Sequence, residues 1–95
     1  MIGYKDSCLI CGKTWHLERH HCLYGGMREN AEKYDLTCML CHRCHKRLHK
    51  NGYFDGEVKR AAQRHFEETH SRDEWIKAFG KSYLWEREKQ KEDGK

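Results

Sequence analysis

Hydrophobic and polar residues alternate along the segment Thr14–Tyr24, until two glycines interrupt the pattern. A period of two residues is typical of a β-strand, so this segment is predicted to be one. The segment Leu36–Leu40 is rich in β-prone residues and predicts a second strand. Between them, Arg28–Tyr34 predicts a short helix or turn. The alternation divides the first strand into one side with Trp15, Leu17, Arg19, His21 and Leu23, and another with His16, Glu18, His20 and Cys22.

Three helices are predicted after the second strand. The first begins near Cys44 and ends by Asn51, because the following Gly52 is a common C-terminal stop. The second has Asp55 as its N-cap and extends to about Thr69. An apolar stripe on that helix would consist of Val58, Ala61, Ala62, His65 and Phe66.

The third of these helices opens with the sequence SRDE at Ser71–Glu74, which matches a capping box. Gly80 would end it. The sequence predicts that Trp75, Ile76 and Phe79 face inward. Beyond it, the segment 85–95 has mixed charge and little apolar content, which predicts a frayed or disordered tail.

The composition is that of a small domain that needs a covalent or metal staple. The chain has 95 residues, of which 37% are hydrophobic and 36% charged, so its core is marginal. No run is apolar enough to cross a membrane, and the start of the chain lacks the apolar segment of a signal peptide. We therefore expect a cytoplasmic chain without a membrane partner. Six cysteines in such a chain indicate metal before disulfides.

Four cysteines occur as two Cys-x2-Cys pairs, Cys8/Cys11 and Cys41/Cys44. Four thiolates suit a tetrahedral Zn²⁺ ion and leave it no open position, so the pattern predicts a structural zinc site. Disulfides or reactive thiols are the alternative. Cys22 and Cys38 fit neither pair and are predicted to pack as small apolar residues.

The histidines form a second pattern. His45 and His49 are four residues apart, which places both on one face of a helix. A lone pair at this spacing is weak evidence for metal, but His20 and His21 end the predicted first strand and can meet that face. Three imidazoles would leave a divalent cation with open positions, as a catalytic metal requires. The fourth histidine could then act as a base near neutral pH.

This order of Cys-x2-Cys, His-His, Gly-Gly and Cys-x2-Cys-His-x3-His resembles the zinc-knuckle HNH endonucleases, which have the ββα-metal fold. The resemblance covers about residues 7–51 and implies that His20, His45 and His49 bind a catalytic Mg²⁺, Mn²⁺, Ni²⁺ or Zn²⁺. It also implies that His21 is the general base. More loosely, the segment Phe66–Leu84 is similar to small phage-encoded HNH proteins linked to recombination, which would act in the host cytoplasm.

One family feature is missing. Many members have an Asn shortly before the second knuckle, and Lys33–Cys41 contains none. Asp35 is predicted to replace it by accepting a hydrogen bond from His21, since Asn30 lies further back. The missing Asn also favours a competing class: a non-catalytic zinc finger or accessory protein on a degenerate HNH scaffold, binding DNA or a protein.

Charge is concentrated in the half of the chain that holds the cysteines. Residues 1–51 contain nine Lys or Arg against five Asp or Glu, whereas residues 52–95 contain ten of each. A positive field around this module suits a polyanion, and the resemblance favours DNA as the partner. Residues predicted to hold backbone phosphates are Arg19, Arg43, Lys46, Arg47 and Lys50; a solvated helix face is the alternative.

Trp15, Tyr24 and Tyr34 are predicted to pack rather than stack on bases, and His42 is predicted to point to solvent.

The sequence therefore predicts an α+β fold, with a zinc-stapled ββα-metal module of the treble-clef, HNH-like type followed by C-terminal helices. Residues 1–84 would form a single domain, in which 1–51 are the module and 52–84 the packing helices. Its predicted activity is metal-dependent hydrolysis of nucleic-acid phosphodiester bonds. No pattern in the sequence indicates an oligomeric interface.

Overall fold

The computed structural model describes residues 1–84 and has the expected α+β class. Its elements are β1 (Leu17–His21), a 3-10 turn (Gly25–Met27), α1 (Arg28–Lys33), β2 (Thr37–Cys41), α2 (His42–Asn51), α3 (Asp55–Phe66) and α4 (Arg72–Phe79). The strands form a two-stranded antiparallel sheet in which Leu17 is opposite Cys41 and His21 is opposite Thr37. The predicted tail, 85–95, lies outside the described residues. Within residues 1–84, no helix combines the length and apolar character needed to cross a membrane.

The first strand is shorter than the alternating pattern predicted. It begins only at Leu17, because His16 adopts a left-handed backbone with φ 55° that breaks the extended conformation. Trp15 therefore lies outside the sheet and is 58% exposed, so the expectation that it packs was wrong. Tyr34 does pack, with its ring centroid 5.1 Å from that of Phe66.

Helix α2 begins at His42, two residues earlier than predicted. Its start is set by Cys41, whose Sγ accepts a hydrogen bond from the backbone N–H of Cys44 at 3.4 Å. The same short segment thus caps the helix and bears two of the cysteines. Gly52 ends α2 in a left-handed conformation with φ 74°, as the sequence predicted.

Helix α3 differs from its prediction at both ends. Phe54 is the N-cap and Asp55 is the first helical residue, where it forms an ion pair with Lys59 at 2.8 Å. The helix ends at Phe66 rather than near Thr69. His65 is exposed, and Gln63 is buried in its place because its side-chain oxygen accepts a hydrogen bond from the Tyr83 backbone at 2.7 Å.

Helix α4 has the complete capping box between Ser71 and Glu74 that the sequence predicted. Trp75 and Phe79 are buried, but Ile76 is 41% exposed, contrary to expectation. Successive helical residues are about 100° apart around the axis, so Ile76 cannot share the face that Trp75 and Phe79 bury.

The buried apolar residues form one cluster that draws on both halves of the chain. It includes Leu23 and Leu36 from the strand region and Trp75 from α4, each nearly inaccessible to solvent. Cys22 and Cys38 are fully buried within it, as predicted for small apolar side chains. Asn30 also joins α1 to α4 by donating a hydrogen bond to the Ala78 carbonyl at 2.9 Å. The C-terminal helices thereby support the strand and turn region that bears the histidines.

Candidate metal centres

The four paired cysteines meet at one point. One sulfur from each of Cys8, Cys11, Cys41 and Cys44 lies within 4.8 Å of all the others. The turn at Cys8–Cys11 is held against β2 because the Leu9 N–H donates to the Met39 carbonyl at 2.8 Å. Cys41 ends β2 and Cys44 lies in the first turn of α2. Strand, turn and helix thus bring two distant Cys-x2-Cys pairs together.

The geometry of this sulfur cluster fits a tetrahedral ion. The Sγ atoms of Cys11 and Cys41 are 3.7 Å apart. A regular tetrahedron with Zn–S bonds of about 2.3 Å has S···S edges of about 3.8 Å. All six cysteines are free thiols rather than disulfides. The cluster could therefore hold a structural metal ion such as zinc.

The electrostatic environment of Cys8 favours the thiolate that a metal requires. Burial alone would raise the pKa of Cys8, but hydrogen bonds from the backbone of Cys11, Cys41 and Ile10 lower that pKa to about 6. One of these is the Cys11 N–H donating to the Cys8 sulfur at 3.4 Å. Burial raises the pKa of Cys44, so its deprotonation depends on the ion itself.

Three histidines form a second cluster. One ring nitrogen from each of His20, His45 and His49 lies within 4.8 Å of the others, and the three ring centroids are 4.9–5.3 Å apart. His20 comes from β1, whereas His45 and His49 lie one turn apart on α2. This arrangement of side chains is the one that the His-His and His-x3-His patterns predicted.

Nε2 of His20 is buried and has no hydrogen-bond partner among the described residues. An unpaired buried polar atom costs about 1–3 kcal/mol, so such atoms have a specific cause in native proteins. Burial, followed by the neighbouring His45 and His49, lowers the pKa of His20 to about 4. The imidazole is therefore neutral at neutral pH, with a nitrogen lone pair available. Both properties fit a divalent cation bound among the three rings.

Glu18 supports this cluster from outside. Its carboxylate oxygens lie 2.7 Å from Nδ1 of His45 and 2.9 Å from Nδ1 of His42. A hydrogen bond at Nδ1 leaves Nε2 of His45 free for a metal, and carboxylates in this position commonly orient metal-binding histidines. The alternating pattern placed Glu18 on the same side as His20, which was the available signal for its role. His42 is exposed as predicted, yet bonded to Glu18.

His21 lies beside the cluster, and Glu32 is its partner. Nε2 of His21 is 2.7 Å from the Glu32 carboxylate, which also forms an ion pair with Arg19 at 3.2 Å. The predicted hydrogen bond from His21 to Asp35 is wrong. Asp35 instead binds the amino group of Met1 at 2.7 Å, because its left-handed backbone, with φ 57°, lies in the turn before β2. Sequence spacing gave no signal for Glu32, since its proximity to His21 depends on how α1 packs against β1.

An open cavity of about 240 Å³ lies over the histidine cluster. A neighbouring cavity of about 520 Å³ shares four of its residues, Arg19, His21, Gly25 and Arg28. Arg28 was not singled out from the sequence. Its side chain is exposed and forms no hydrogen bond or ion pair with the other residues of 1–84. The residues around the smaller cavity are Arg19, His20, His21, Tyr24, Gly25, Arg28, His45 and His49.

The other predicted phosphate-binding residues lie along α2. Arg43 lines a separate small cavity, and the guanidinium of Arg47 lies over the Tyr53 ring at 3.8 Å. Lys46 and Lys50 are exposed. Of the five predicted residues, Arg19 is the one that lines the cavity over the histidines.

Comparisons of this chain with protein-family models, curated proteins and solved structures find no match. Its function must therefore be argued from the side chains of the site. The four cysteines and three histidines are two groups that could each bind a metal ion. They differ in kind: three of the four sulfurs belong to buried residues, whereas the histidine cluster opens to solvent through a cavity.

Proposed function

We propose that this protein is a metal-dependent endonuclease of the HNH type, with the ββα-metal and treble-clef arrangement of that family. The observation that carries the proposal is the buried, unpaired Nε2 of His20, which faces two further histidines while His21 is held beside it by Glu32. A closed sulfur site and an open nitrogen site in one small chain correspond to a structural and a catalytic metal, respectively.

His20, His45 and His49 would hold the catalytic divalent cation, and Cys8, Cys11, Cys41 and Cys44 the structural zinc. A divalent cation held by these three imidazoles would supply Lewis acidity toward the scissile phosphate and would stabilise charge on the departing oxygen. Glu18 bonds Nδ1 of His45 at 2.7 Å, which would leave Nε2 of that ring for the cation.

His21 is assigned as the general base. A carboxylate only accepts, so Nε2–H of His21 donates to Glu32 at 2.7 Å, and in the neutral ring Nδ1 carries the lone pair that would accept a proton from water. The negative carboxylate of Glu32 then stabilises the imidazolium that forms. The sequence assigned this bracing of His21 to Asp35; in this proposal Glu32 of α1 has that role.

Arg19 and Arg28 are placed to hold the nucleic-acid backbone. Both line the cavity over the histidines and the larger cavity beside it. Arg19 is also tied to Glu32, whereas Arg28 has no protein partner within the described residues and can turn fully to a phosphate. Such contacts position the backbone without reading sequence, so we propose a nuclease of low sequence specificity with DNA as the favoured substrate.

A plasmid-nicking assay with Mg²⁺, Mn²⁺, Ni²⁺ and Zn²⁺ tests this proposal, using His21→Ala and a matched His65→Ala variant. His65 is exposed on α3, away from the cavity. His21→Ala is expected to lower the rate about 10²–10⁴-fold while leaving DNA affinity and metal content unchanged. His65→Ala should cut like the wild type.

Two results would overturn the proposal. One is the absence of metal-dependent cleavage of any nucleic acid by the pure wild-type protein. The other is a His21→Ala variant that cuts as fast as the wild type. Metal analysis gives a second readout, because a chain that binds one zinc and no further divalent cation is a zinc-stapled binding module rather than an enzyme.

A further inference from the structure

A second surface feature lies at the start of β1, on residues that the proposed chemistry does not use. Lys13, His16, His42 and Arg43 line a cavity of about 290 Å³. Trp15 adjoins it, with the ammonium of Lys13 5.2 Å from the centroid of its ring. These five residues, called the Trp15 patch below, combine a large aromatic surface with two permanent positive charges.

The backbone conformation of the next residue, His16, keeps the Trp15 side chain exposed. The left-handed conformation of His16, with φ 55°, is unfavourable for a residue that has a Cβ atom. It is held in place because the His16 carbonyl accepts a hydrogen bond from the His42 N–H at 2.9 Å, at the edge of the sheet. Strained backbone of this kind persists where the surrounding structure enforces it and is common at binding sites.

The charges of the patch are available to a ligand. Arg43 is exposed and forms no ion pair with another described residue. No carboxylate lines the cavity. Both carboxylate oxygens of the nearby Glu18 are hydrogen-bonded, one to His42 and one to His45. The patch therefore offers an aromatic face and two cationic side chains to an anion that has a flat ring.

We infer that the Trp15 patch is a subsite for an unpaired nucleotide, whose base stacks on the Trp15 indole while Lys13 and Arg43 hold the flanking phosphates. Tryptophan accepts the face of any base, and that face is accessible only when the base is unpaired. A duplex exposes base edges and phosphates instead. The ligand class is thus single-stranded nucleic acid, and stacking implies little preference among bases.

This subsite is adjacent to the histidine cluster. Glu18 bonds His42 of the patch and His45 of the cluster with the same carboxylate. A strand seated on Trp15 is therefore within reach of the cavity over the histidines. The inference deepens the proposed function by adding a subsite for an unpaired stretch of its substrate, and it rests on that function only for the choice of nucleic acid.

Binding of labelled 12-nucleotide dT and rU oligomers, and of a 12-base-pair duplex, tests the inference by fluorescence polarisation. The full zinc-loaded chain is used in a His21→Ala background, so that cleavage does not interfere. Trp15→Ala should weaken binding of the single-stranded oligomers about 5- to 150-fold, the range typical for loss of one stacked base. Duplex affinity should change less than about twofold. Tyr4→Ala is the matched control, since Tyr4 is 79% exposed and lies outside the patch.

Two further variants give independent readouts. Trp15→Phe should retain most of the affinity, because phenylalanine also stacks, while the quenching of tryptophan emission by the oligomer is reduced. Lys13→Gln and Arg43→Gln should each reduce the slope of log affinity against log salt by about 0.7, the value for one phosphate of a single strand.

The inference is overturned if Trp15→Ala binds the oligomers like the wild type, or if it weakens duplex and single-stranded binding equally. Binding by a partner protein rather than by any oligomer would also overturn it and would reassign the patch. These outcomes are separate from those for the nuclease, because they are measured without cleavage. A failed nicking assay leaves the stacking result intact, and the reverse also holds.

Discussion

The imidazole of His21 and the carboxylate of Glu32 lie 2.7 Å apart, joining the last residue of β1 to helix α1. The same carboxylate is 3.2 Å from Arg19. Hydrogen bonds from Arg19 and then from His21 lower the pKa of Glu32, so it remains charged at neutral pH. The negative carboxylate of Glu32 beside Nε2 of His21 orients the ring and stabilises the imidazolium after His21 has accepted a proton. We therefore expect Glu32 to affect the proton transfer assigned to His21.

Glu32→Gln is expected to reduce the rate of metal-dependent cleavage about tenfold or more, but less than His21→Ala. The amide keeps the shape of the side chain and loses the charge that stabilises the imidazolium. The pH–rate profile of the variant should shift as well, which a purely structural role would not cause. Asp35→Asn is the control and should retain the wild-type rate, because Asp35 binds the chain terminus rather than His21.

Glu18→Gln should weaken divalent-metal binding at the histidine cluster about 10–100-fold, because the carboxylate that orients His45 is lost. Isothermal titration of the zinc-loaded chain with Ni²⁺ or Co²⁺ measures this directly. Glu57→Gln is the matched control, since Glu57 contacts Arg60 on α3 instead. Equal metal affinity in Glu18→Gln and in the wild type would show that Glu18 has no such role.

Arg28→Ala should weaken duplex DNA binding similarly for all sequences and reduce its salt slope by about 1, as expected for the loss of one phosphate contact. Arg28 lines both cavities at the histidine cluster, and its guanidinium has no protein partner among the described residues. Affinity measured across a salt series checks this. Arg60→Ala, which removes a charge paired with Glu57, should leave the slope unchanged, and an unchanged slope in Arg28→Ala would exclude the contact.

Cys8→Ser is expected to yield a protein without tightly bound zinc and without a cooperative thermal transition. In so small a chain, metal binding supplies part of the folding free energy. Zinc content by mass spectrometry and melting by circular dichroism provide the two measurements. Cys22→Ala should keep both zinc and cooperative melting, because Cys22 is a buried packing residue. A Cys8→Ser chain that retains one zinc would mean that the ligands are misassigned.

Phe66→Ala should lower the free energy of unfolding by about 3–5 kcal/mol. Phe66 is buried, and its ring lies 5.4 Å from that of Trp75 and 4.2 Å from that of His70. Phe54→Ala removes a ring that is 44% exposed and should cost much less. Urea denaturation of the two variants measures the difference. Equal losses would show that Phe66 does not anchor α3 to the rest of the core.

The two sets of candidate metal ligands could be predicted from the sequence because their spacing is local. Two residues between cysteines let one turn direct both sulfurs to a point, and His45 and His49 share a helix face at any position in a fold. The capping box at Ser71 and the glycine that ends α2 are equally local. Each of these two features depends on hydrogen bonds within one helical turn, so residues close together in the sequence suffice to predict it.

The partners of the histidines depended on tertiary packing. Glu32 reaches His21 because α1 packs beside β1, and Asp35 turns away because its left-handed backbone lies in the turn before β2. Trp15 was expected to be buried on the strength of its apolar character, but the backbone at His16 ends the strand before it. A hydrophobic pattern indicates the secondary structure that a segment prefers on average. Whether one side chain is buried or exposed depends on where the backbone turns. The sequence determined which residues could bind metal; only the packing of helix against strand decided which carboxylates orient them and which aromatic ring remains exposed to a ligand.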